Sequence, residues 1–180
     1  GTKWSLACDL NIGQLRRLRC YASTSFMNAK NYYADEVLDR VAQNRRDDTW
    51  VNSQYAAEHS IVIPVWRSRS LIQQGSEPRG ILMPIDESRA LMEIATTTVL
   101  LGMRNDVAHF AIDISPLEAH EVGELRADGE FVDLRSVGAV LDRTEASILA
   151  YAKGIMHWHS RHLFCGVCGS PTESQDAGHL

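Results

Sequence analysis

The sequence contains no apolar run that approaches the roughly 20 residues required to cross a bilayer. Residues 1–10 include Asp9 among scattered apolar positions, so they do not form the apolar core of a secretory signal. No stretch is dense enough in lysine and arginine to indicate a nucleic-acid groove as the main function. These absences argue against a membrane-embedded or secreted protein, and we expect a cytoplasmic location.

Cysteine is also sparse, with residues at positions 8, 20, 165 and 168. Because no secretory signal is seen, we do not expect a disulfide framework, and we interpret Cys8 and Cys20 as ordinary thiols. The chain begins with glycine, and its first methionine is Met27. We therefore set residues 1–26 apart as a leader whose origin stays open: a tag, a leader peptide, a translation artefact or a native strand.

The residues that are present describe a globular protein. Hydrophobic residues make up 44% of the chain, charged residues make up 23%, and the formal net charge is −5. This balance supplies enough apolar material for a core. The acidic excess favours solubility and indicates no particular partner.

Strand and helix patterns occur together along the chain, which predicts an α/β (α+β) fold. Strands are predicted at 61–65, 68–73, 81–83, 97–101, 108–113 and 131–134. Apolar spacing predicts a helix at 86–95. The acidic, glycine-containing stretch 118–130 is predicted to be a surface loop. Within a helical or irregular region, the run from Arg45 to Asp48 is interpreted as a solvated charged patch.

The final helix is the clearest predicted element. Asp142 and Glu145 have the spacing of a capping box, in which side chains satisfy the free N–H groups of the first helical turn. A continuous apolar face then follows, formed by Ile148, Leu149, Ala152, Ile155, Met156 and His159.

Directly after this helix, Cys165 and Cys168 form a C-x-x-C pair in which each cysteine precedes a glycine. A tight turn of this kind brings two thiolates to one metal ion, and the glycines leave backbone N–H groups free to face the sulfurs. A structural zinc ion requires four ligands, so the pair amounts to half of a zinc ribbon. A redox dithiol and two plain reduced cysteines are the other interpretations.

Nearby histidines are candidate substitute ligands: His157, His159, His162 and His179. His159 and His162 share a helix face, but they precede the cysteines so closely that wrapping them round the same ion would strain the chain. We therefore interpret these histidines as packing or hydrogen-bonding residues.

The segment from Phe131 to Thr172 resembles the NADH pyrophosphatase family of the Nudix superfamily. Its most specific part runs from Trp158 to Gly169 and reads WHSRHLFCGVCG, which matches a W-H-x-R-H-x-F-C-x-x-C-G signature. Looser agreement extends back to Leu38 and includes the sequence PVWR that begins at Pro64.

The resemblance implies a protein of three parts: an N-terminal Nudix-like domain with a mixed sheet, a four-cysteine zinc ribbon and a catalytic Nudix domain. The family hydrolyses the pyrophosphate of NAD(H) to NMN(H) and AMP, and some members remove NAD caps from RNA. Catalysis uses Mg²⁺ or Mn²⁺ held by glutamates of the Nudix box, and members are commonly homodimers.

On this chain, the resemblance assigns Cys165 and Cys168 to the zinc ion and places Arg135 near the substrate. An arginine that ends a strand is also commonly a surface or ion-pair residue, and the sequence leaves both interpretations of Arg135 open. No catalytic residue is assigned, because the Nudix box is missing and the chain contains no Arg-Glu dipeptide.

A second cysteine pair is also missing, since the chain ends at Leu180. We therefore expect an inactive N-terminal fragment, with a Nudix-like domain at 27–141 and a connecting helix with a partial zinc ribbon at 142–180. The alternative is a non-catalytic zinc-knuckle module for binding or dimerisation, in which two chains combine their cysteines in one four-thiolate site.

Overall fold

The computed structural model describes residues 37–126 and 128–180. The predicted leader at 1–26, together with Cys8 and Cys20, lies outside the described residues. Within them, the chain forms a mixed β-sheet with helices packed on both faces, which confirms the predicted α/β class. No helix of the described part is long and apolar enough to span a membrane.

Seven strands and five α-helices make up the described part of the chain. The strands are β1 (Ile61–Trp66), β2 (Arg69–Gln73), β3 (Arg79–Gly80), β4 (Met83–Pro84), β5 (Thr97–Arg104), β6 (Val107–Asp113) and β7 (Gly129–Val132). The helices are α1 (Asp48–Ala56), α2 (Ile85–Ile94), α3 (Ala119–Glu124), α4 (Leu134–Val137) and α5 (Arg143–Arg161). Short 3₁₀ turns occur at Asn44–Arg46 and Asp176–Gly178.

Strand β1 lies inside the sheet because its sequence is apolar on both faces. It pairs in parallel with β6 and antiparallel with β2. The order across the sheet is β3-β2-β1-β6-β5, with β4 paired to β1 and β7 paired to β2. Because Val132 at the end of β7 faces Ser70 near the start of β2, the residues after β7 lie beside the β1–β2 turn.

Each face of the sheet covers its own hydrophobic cluster. On one face, Val62 and Phe110 belong to a cluster with Leu91 of α2. On the other face, Ile63 and Val99 belong to a cluster with α5. The buried side of α5 confirms most of the face that its apolar spacing predicts: Ile148, Leu149, Ala152 and Met156.

The start of α5 confirms one half of the predicted capping box. The side chain of Asp142 accepts hydrogen bonds from the N–H groups of Thr144 and Glu145, at 2.9 and 3.2 Å. The other half is wrong, because Oε2 of Glu145 accepts from the N–H of Gly80 at 2.9 Å. Glu145 thereby links α5 to β3. The division between residues 141 and 142 stays a prediction, and α5 packs on the sheet that the preceding residues form.

The prediction of a surface loop at 118–130 is wrong. Helix α3 forms there because Glu118 and Glu121 make a reciprocal capping box, in which the Glu118 N–H donates to Oε2 of Glu121 at 2.7 Å. The helix has six residues and buries Val122 alone, so apolar periodicity cannot reveal it. Strand β7 then begins at Gly129, earlier than expected.

Two other strand predictions are shifted. In place of the strand predicted at 81–83, the structure has β3 and β4, two-residue strands that flank Ile81 and Leu82. The strand predicted at 131–134 ends at Val132, because the Asp133 side chain accepts from the N–H of Arg135 at 3.0 Å and caps α4. Arg135 therefore lies in the first turn of a helix.

The interpretation of the run from Arg45 to Asp48 as solvated is wrong for Arg45. Its side chain is 3% exposed and donates to the carbonyl oxygens of Arg40, Leu100 and Leu101. It therefore satisfies backbone acceptors of β5, an outer strand of the sheet. Burial lowers the pKa of the guanidinium, which still remains a cation at neutral pH.

Two strand pairs are joined by two-residue turns in which both residues have positive φ. Arg67 and Ser68 have φ of 47° and 62°, and Asn105 and Asp106 have φ of 50° and 62°. Turns of this kind match the twist of paired strands. Asn and Asp tolerate the left-handed region, whereas Arg and Ser incur a steric cost. Arg67 is held in place by Ser115, whose Oγ accepts its N–H at 2.9 Å.

Candidate functional site

After α5 the chain folds into a short knuckle at residues 163–172. The N–H of Cys165 donates to the carbonyl oxygen of Ser170 at 2.7 Å, and the N–H of Gly169 donates to that of Cys165 at 2.9 Å. Gly169 has a φ of 71°, a conformation that favours glycine. One turn therefore carries both thiols, with Cys165 half-buried and Cys168 exposed.

The two sulfurs have some, but not all, of the features of a structural zinc site. Both cysteines are free thiols. Hydrogen bonding by Ser170, whose Oγ lies 3.4 Å from Sγ of Cys168, lowers the pKa of the Cys168 thiol to about 7. A lowered pKa favours the thiolate form, which is the form that binds metals.

A complete ligand set is not found in the part of the chain that the structure describes. Within residues 37–126 and 128–180, no group of three or more His, Cys, Asp or Glu side chains is placed to hold a metal ion. The residues present therefore fit one half of a four-ligand zinc site. The assignment of Cys165 and Cys168 as zinc ligands stays a prediction.

Two of the histidines near the knuckle make structural contacts, as the sequence predicts. Nε2 of His159 lies 2.7 Å from the carbonyl oxygen of Gly178. Nδ1 of His162 lies 2.7 Å from the carbonyl oxygen of Trp158, and the His162 ring stacks on the indole with the centroids 4.8 Å apart. These contacts occupy one nitrogen of each ring and fix the end of α5 and the segment that follows it.

The last residues of the chain pack back onto the sheet and α5. Gly178 has a φ of 89°, and a Cβ there would lie 2.5 Å from Cγ2 of Val99. Nε2 of His179 lies 2.5 Å from the hydroxyl of Tyr151, whose ring carries the guanidinium of Arg40 at 4.5 Å from its centroid. Burial, followed by the charge of nearby arginines, lowers the pKa of His179 to about 4. His179 is therefore a neutral packing residue at neutral pH.

A cleft of ≈ 490 Å³ opens between α5 and the β1–β2 turn. Its lining consists of Ser68, Asp133, Leu134, Arg135, Ala150, Lys153, Gly154 and His157. The four residues from α5 recur at intervals of three and four, so they form one helix face beside the buried face. Arg135, the residue predicted to lie near a substrate, is exposed and lines this cleft.

The charges around the cleft do not balance. Oδ1 of Asp133 accepts from Nζ of Lys153 at 2.8 Å and from the N–H of Arg135 at 3.0 Å. Lys153 first, and then that N–H, lower the pKa of Asp133, which keeps it ionised. The guanidinium of Arg135 and the ring of His157 make no hydrogen bond or ion pair with any described residue. Among the described residues, Arg135 therefore lines the cleft as a cation whose guanidinium has no hydrogen-bond or ion-pair partner, although its charge also acts on Asp133.

A family profile described as the NADH pyrophosphatase-like rudimentary NUDIX domain matches residues 59–158, more than half of the chain. The chain belongs to this family. The rudimentary Nudix domain contains all strands of the sheet and most of α5. It therefore also contains every residue that lines the cleft, whereas the cysteine knuckle lies beyond the matched residues.

Several relatives extend the comparison. The human NAD-capped RNA hydrolase NUDT12 is 22% identical over 182 residues, which cover 83% of this chain and 39% of the relative. The human mitochondrial NAD(P)H pyrophosphatase NUDT13 is 30% identical over 90 residues, 45% of this chain and 26% of the relative. NAD-capped RNA hydrolase NudC of Mycobacterium tuberculosis is 29% identical over 120 residues, 56% of this chain and 37% of the relative. The chain thus spans no more than 39% of the length of these relatives.

The sequence analysis places Arg135 near a substrate, which stays a prediction, and does not assign the other residues of the cleft to a substrate site. A signal for Lys153, Gly154 and His157 was available, since with Ala150 they form a second helical stripe next to the predicted core face. Ser68 could not be found in this way. It reaches the cleft only because β7 pairs with β2, and that pairing is a property of the folded sheet.

Proposed function

We propose that this chain is the front part of a metal-dependent Nudix hydrolase that cleaves the pyrophosphate of NAD(H) to NMN(H) and AMP. The observation that carries the proposal is the match of residues 59–158 to an NADH pyrophosphatase-like domain. Relatives named as an NAD(P)H pyrophosphatase and as NAD-capped RNA hydrolases support NAD-type pyrophosphates, including NAD-capped RNA, as the substrate class.

In this proposal the rudimentary domain binds and orients the substrate. Arg135 contacts its anionic part, because a guanidinium forms strong hydrogen bonds with phosphate oxygens. Cys165 and Cys168 supply two of the four ligands of a structural zinc ion. In the complete enzyme, Nudix-box glutamates would hold Mg²⁺ or Mn²⁺, which would supply Lewis-acid activation of a water molecule. Because this sequence lacks a Nudix box, we propose that the chain is inactive by itself.

The test compares this chain with the protein encoded by the complete gene. Each is incubated with NADH and either Mg²⁺ or Mn²⁺, and AMP and NMNH are quantified by chromatography. We expect equimolar products from the complete protein and none from this chain. If the complete protein left NADH intact with both metals, the proposed activity would be wrong. If this chain alone released AMP, the inactivity of the fragment would be wrong.

A matched pair of variants tests the role of Arg135 in the complete protein. We expect Arg135→Ala to raise KM for NADH about tenfold, since a charge-assisted hydrogen bond to phosphate is lost. Arg89→Ala, which removes an exposed arginine paired with Asp86 on α2, should leave KM unchanged. Equal effects of the two substitutions would argue against a substrate contact by Arg135.

A second candidate function, a zinc-linked homodimer, is favoured by the surface of the knuckle. Leu163, Phe164 and Val167 are 60%, 63% and 97% exposed, and a second copy of this chain would cover them. Light scattering and metal analysis of this chain test the idea. A dimer with one zinc ion per two chains, lost together with the metal in Cys165→Ser, would support it. A zinc-free monomer would rule it out.

A further inference from the structure

The cleft between α5 and the β1–β2 turn has the size and chemistry of a small-ligand site. Its volume of ≈ 490 Å³ lies within the range of about 300 to 1,000 Å³ that such sites occupy. Leu134 and Ala150 give it apolar surface, while Arg135, Lys153 and His157 give it basic groups. A site of this composition suits a ligand with an anionic end and a body that can pack against apolar side chains.

Gly154 supports the idea that the cleft is kept open. It lies in the interior of α5, a 19-residue helix, where glycine is unfavourable relative to alanine. A Cβ at this position would meet no atom of the described residues within 4 Å, so close packing among them does not require glycine there. Gly80 is different, because a Cβ there would lie 2.9 Å from Cδ1 of Leu149. Glycine at position 154 therefore makes α5 less stable than alanine would, and it leaves the cleft wider at that position.

The opposite wall of the cleft, formed by the β1–β2 turn, also has an energetically unfavourable backbone conformation. Ser68 lines it from a turn in which both residues have positive φ. Besides the bond from its N–H to Ser115, Arg67 is held by an ion pair with Glu118, in which Nη2 and Oε2 are 3.5 Å apart. Strained backbone that the surrounding structure holds in place is characteristic of ligand sites. Two independent elements are thus shaped unfavourably where they border the same cavity.

We propose that this cleft binds a nucleoside monophosphate, with the phosphate held by Arg135 and His157 and the nucleoside against Leu134 and Ala150. Arg135 is available for this role because its guanidinium has no hydrogen-bonding partner among the described residues, whereas Lys153 is held by Asp133 at 2.8 Å. The Ser68 hydroxyl supplies a further donor. The choice of AMP as the ligand to test rests on the proposed function, since AMP is the product of that reaction.

Calorimetric titration of this chain with AMP tests the proposal, and adenosine serves as the matched ligand without phosphate. We expect AMP to bind one site per chain with a dissociation constant in the millimolar range or tighter. Adenosine should bind at least about tenfold more weakly, because it lacks the phosphate that Arg135 would hold. Equal binding of both ligands, or no binding of AMP, would overturn the proposal.

Two variants act on different parts of the site. Arg135→Ala removes the guanidinium proposed to hold the phosphate and should weaken AMP binding about tenfold or more. Gly154→Leu fills the cleft with a side chain whose Cβ meets no atom of the described residues, so the variant should fold and lose AMP binding. Arg89→Ala is the control and should bind AMP like the wild type. Circular dichroism verifies that each variant is folded, and unchanged binding by both site variants would contradict the assignment.

Failure of this inference is distinguishable from failure of the proposed function. Binding of AMP is measured on this chain, whereas hydrolysis of NADH is measured on the complete protein. If the complete protein hydrolysed NADH but this chain did not bind AMP, only the cleft assignment would fall. If this chain bound AMP through Arg135 but the complete protein hydrolysed nothing, the site would stand and the proposed function would be wrong.

Discussion

Leu149 and Phe164 are large apolar residues in the same C-terminal part of the chain, but their surroundings differ. Leu149 is completely buried between α5 and the sheet, whereas Phe164 in the knuckle is 63% exposed. The difference extends to their neighbours, since Ile148 is 1% exposed and Val167 is 97% exposed. The sheet and α5 are therefore stabilised by apolar burial, and the knuckle is not.

The knuckle depends on local hydrogen bonds instead. Its backbone is joined across the turn, for example by the N–H of Thr172, which donates to the carbonyl oxygen of Leu163 at 3.0 Å. A segment this small buries too little apolar surface to be stable by packing, and such segments commonly need a metal ion or a disulfide. Zinc binding by Cys165 and Cys168, which stays a prediction, would supply such a stabilising contribution.

The largest loss of stability is expected from a substitution of Leu149, the buried residue of the two. Leu149→Ala should lower the free energy of unfolding by about 3 kcal/mol, because it leaves a cavity between α5 and the sheet. Phe164→Ala, the matched change in the knuckle, should alter it by less than about 0.5 kcal/mol. Urea unfolding followed by circular dichroism measures both. A comparable loss for Phe164→Ala would mean that the knuckle is buried in solution.

An intermediate effect is expected from His179, which joins the end of the chain to α5. Its pKa is lowered to about 4 in the folded protein from the ordinary value of 6.5. Above pH 6.5 neither state binds the proton, so the full stability is present. As the pH falls below that value, the unfolded chain binds the proton first, and stability is lost until the pH reaches about 4.

Between pH 7 and pH 5, we therefore expect the free energy of unfolding to fall by about 1 kcal/mol more in the wild type than in His179→Gln. This figure is half of what the full pKa shift would give, because the ring is partly exposed and solvent screens its interactions. Urea unfolding at the two pH values measures this difference. His120→Gln, at an exposed position of α3, is the control and should behave like the wild type. Identical pH dependence in wild type and His179→Gln would show that the His179 pKa is not lowered.

The smallest change in the free energy of unfolding is expected from Cys165→Ser in the knuckle, which should have the largest effect on zinc binding. In the complete protein, Cys165→Ser should abolish zinc binding, measured by mass spectrometry of bound metal. In this chain, the same change should alter the free energy of unfolding of the sheet by less than about 0.5 kcal/mol, because the knuckle contributes no buried apolar side chain. Cys20→Ser should retain zinc. If Cys20→Ser lost zinc and Cys165→Ser kept it, the ligand assignment would be wrong.

Local signals in the sequence predicted the elements that are long or strongly patterned. The β-branched run of β1 and the apolar spacing of α5 were both found, because each pattern is repeated over the length of its element. Helix α3 was missed, since its stability comes from a capping box and a single buried valine at position 122. Short elements of this kind depend on hydrogen bonds that periodicity does not record.

The residues of the candidate sites also differ in whether local sequence signals could reveal them. Cys165 and Cys168 were found because the glycines and cysteines of the motif lie within one turn of the chain. Arg135 was named only through the family resemblance, and its role near a substrate stays a prediction; its position in α4, in the same cleft as Lys153, was not foreseen. Residues that are far apart in sequence share this cleft, and they are brought together by the pairing of β7 with β2 and by the packing of α5 on the sheet.

By itself, the sequence determined the α/β class, the start and the buried face of α5 and the position of the cysteine turn, because hydrophobic periodicity and turn chemistry act over a few residues. The tertiary structure alone decided that Arg45 is buried and that Arg135 and His157 face the same cleft. The physical reason is that the environment of a polar side chain depends on its spatial neighbours. Those neighbours are set by strand pairing and helix packing across the whole sheet.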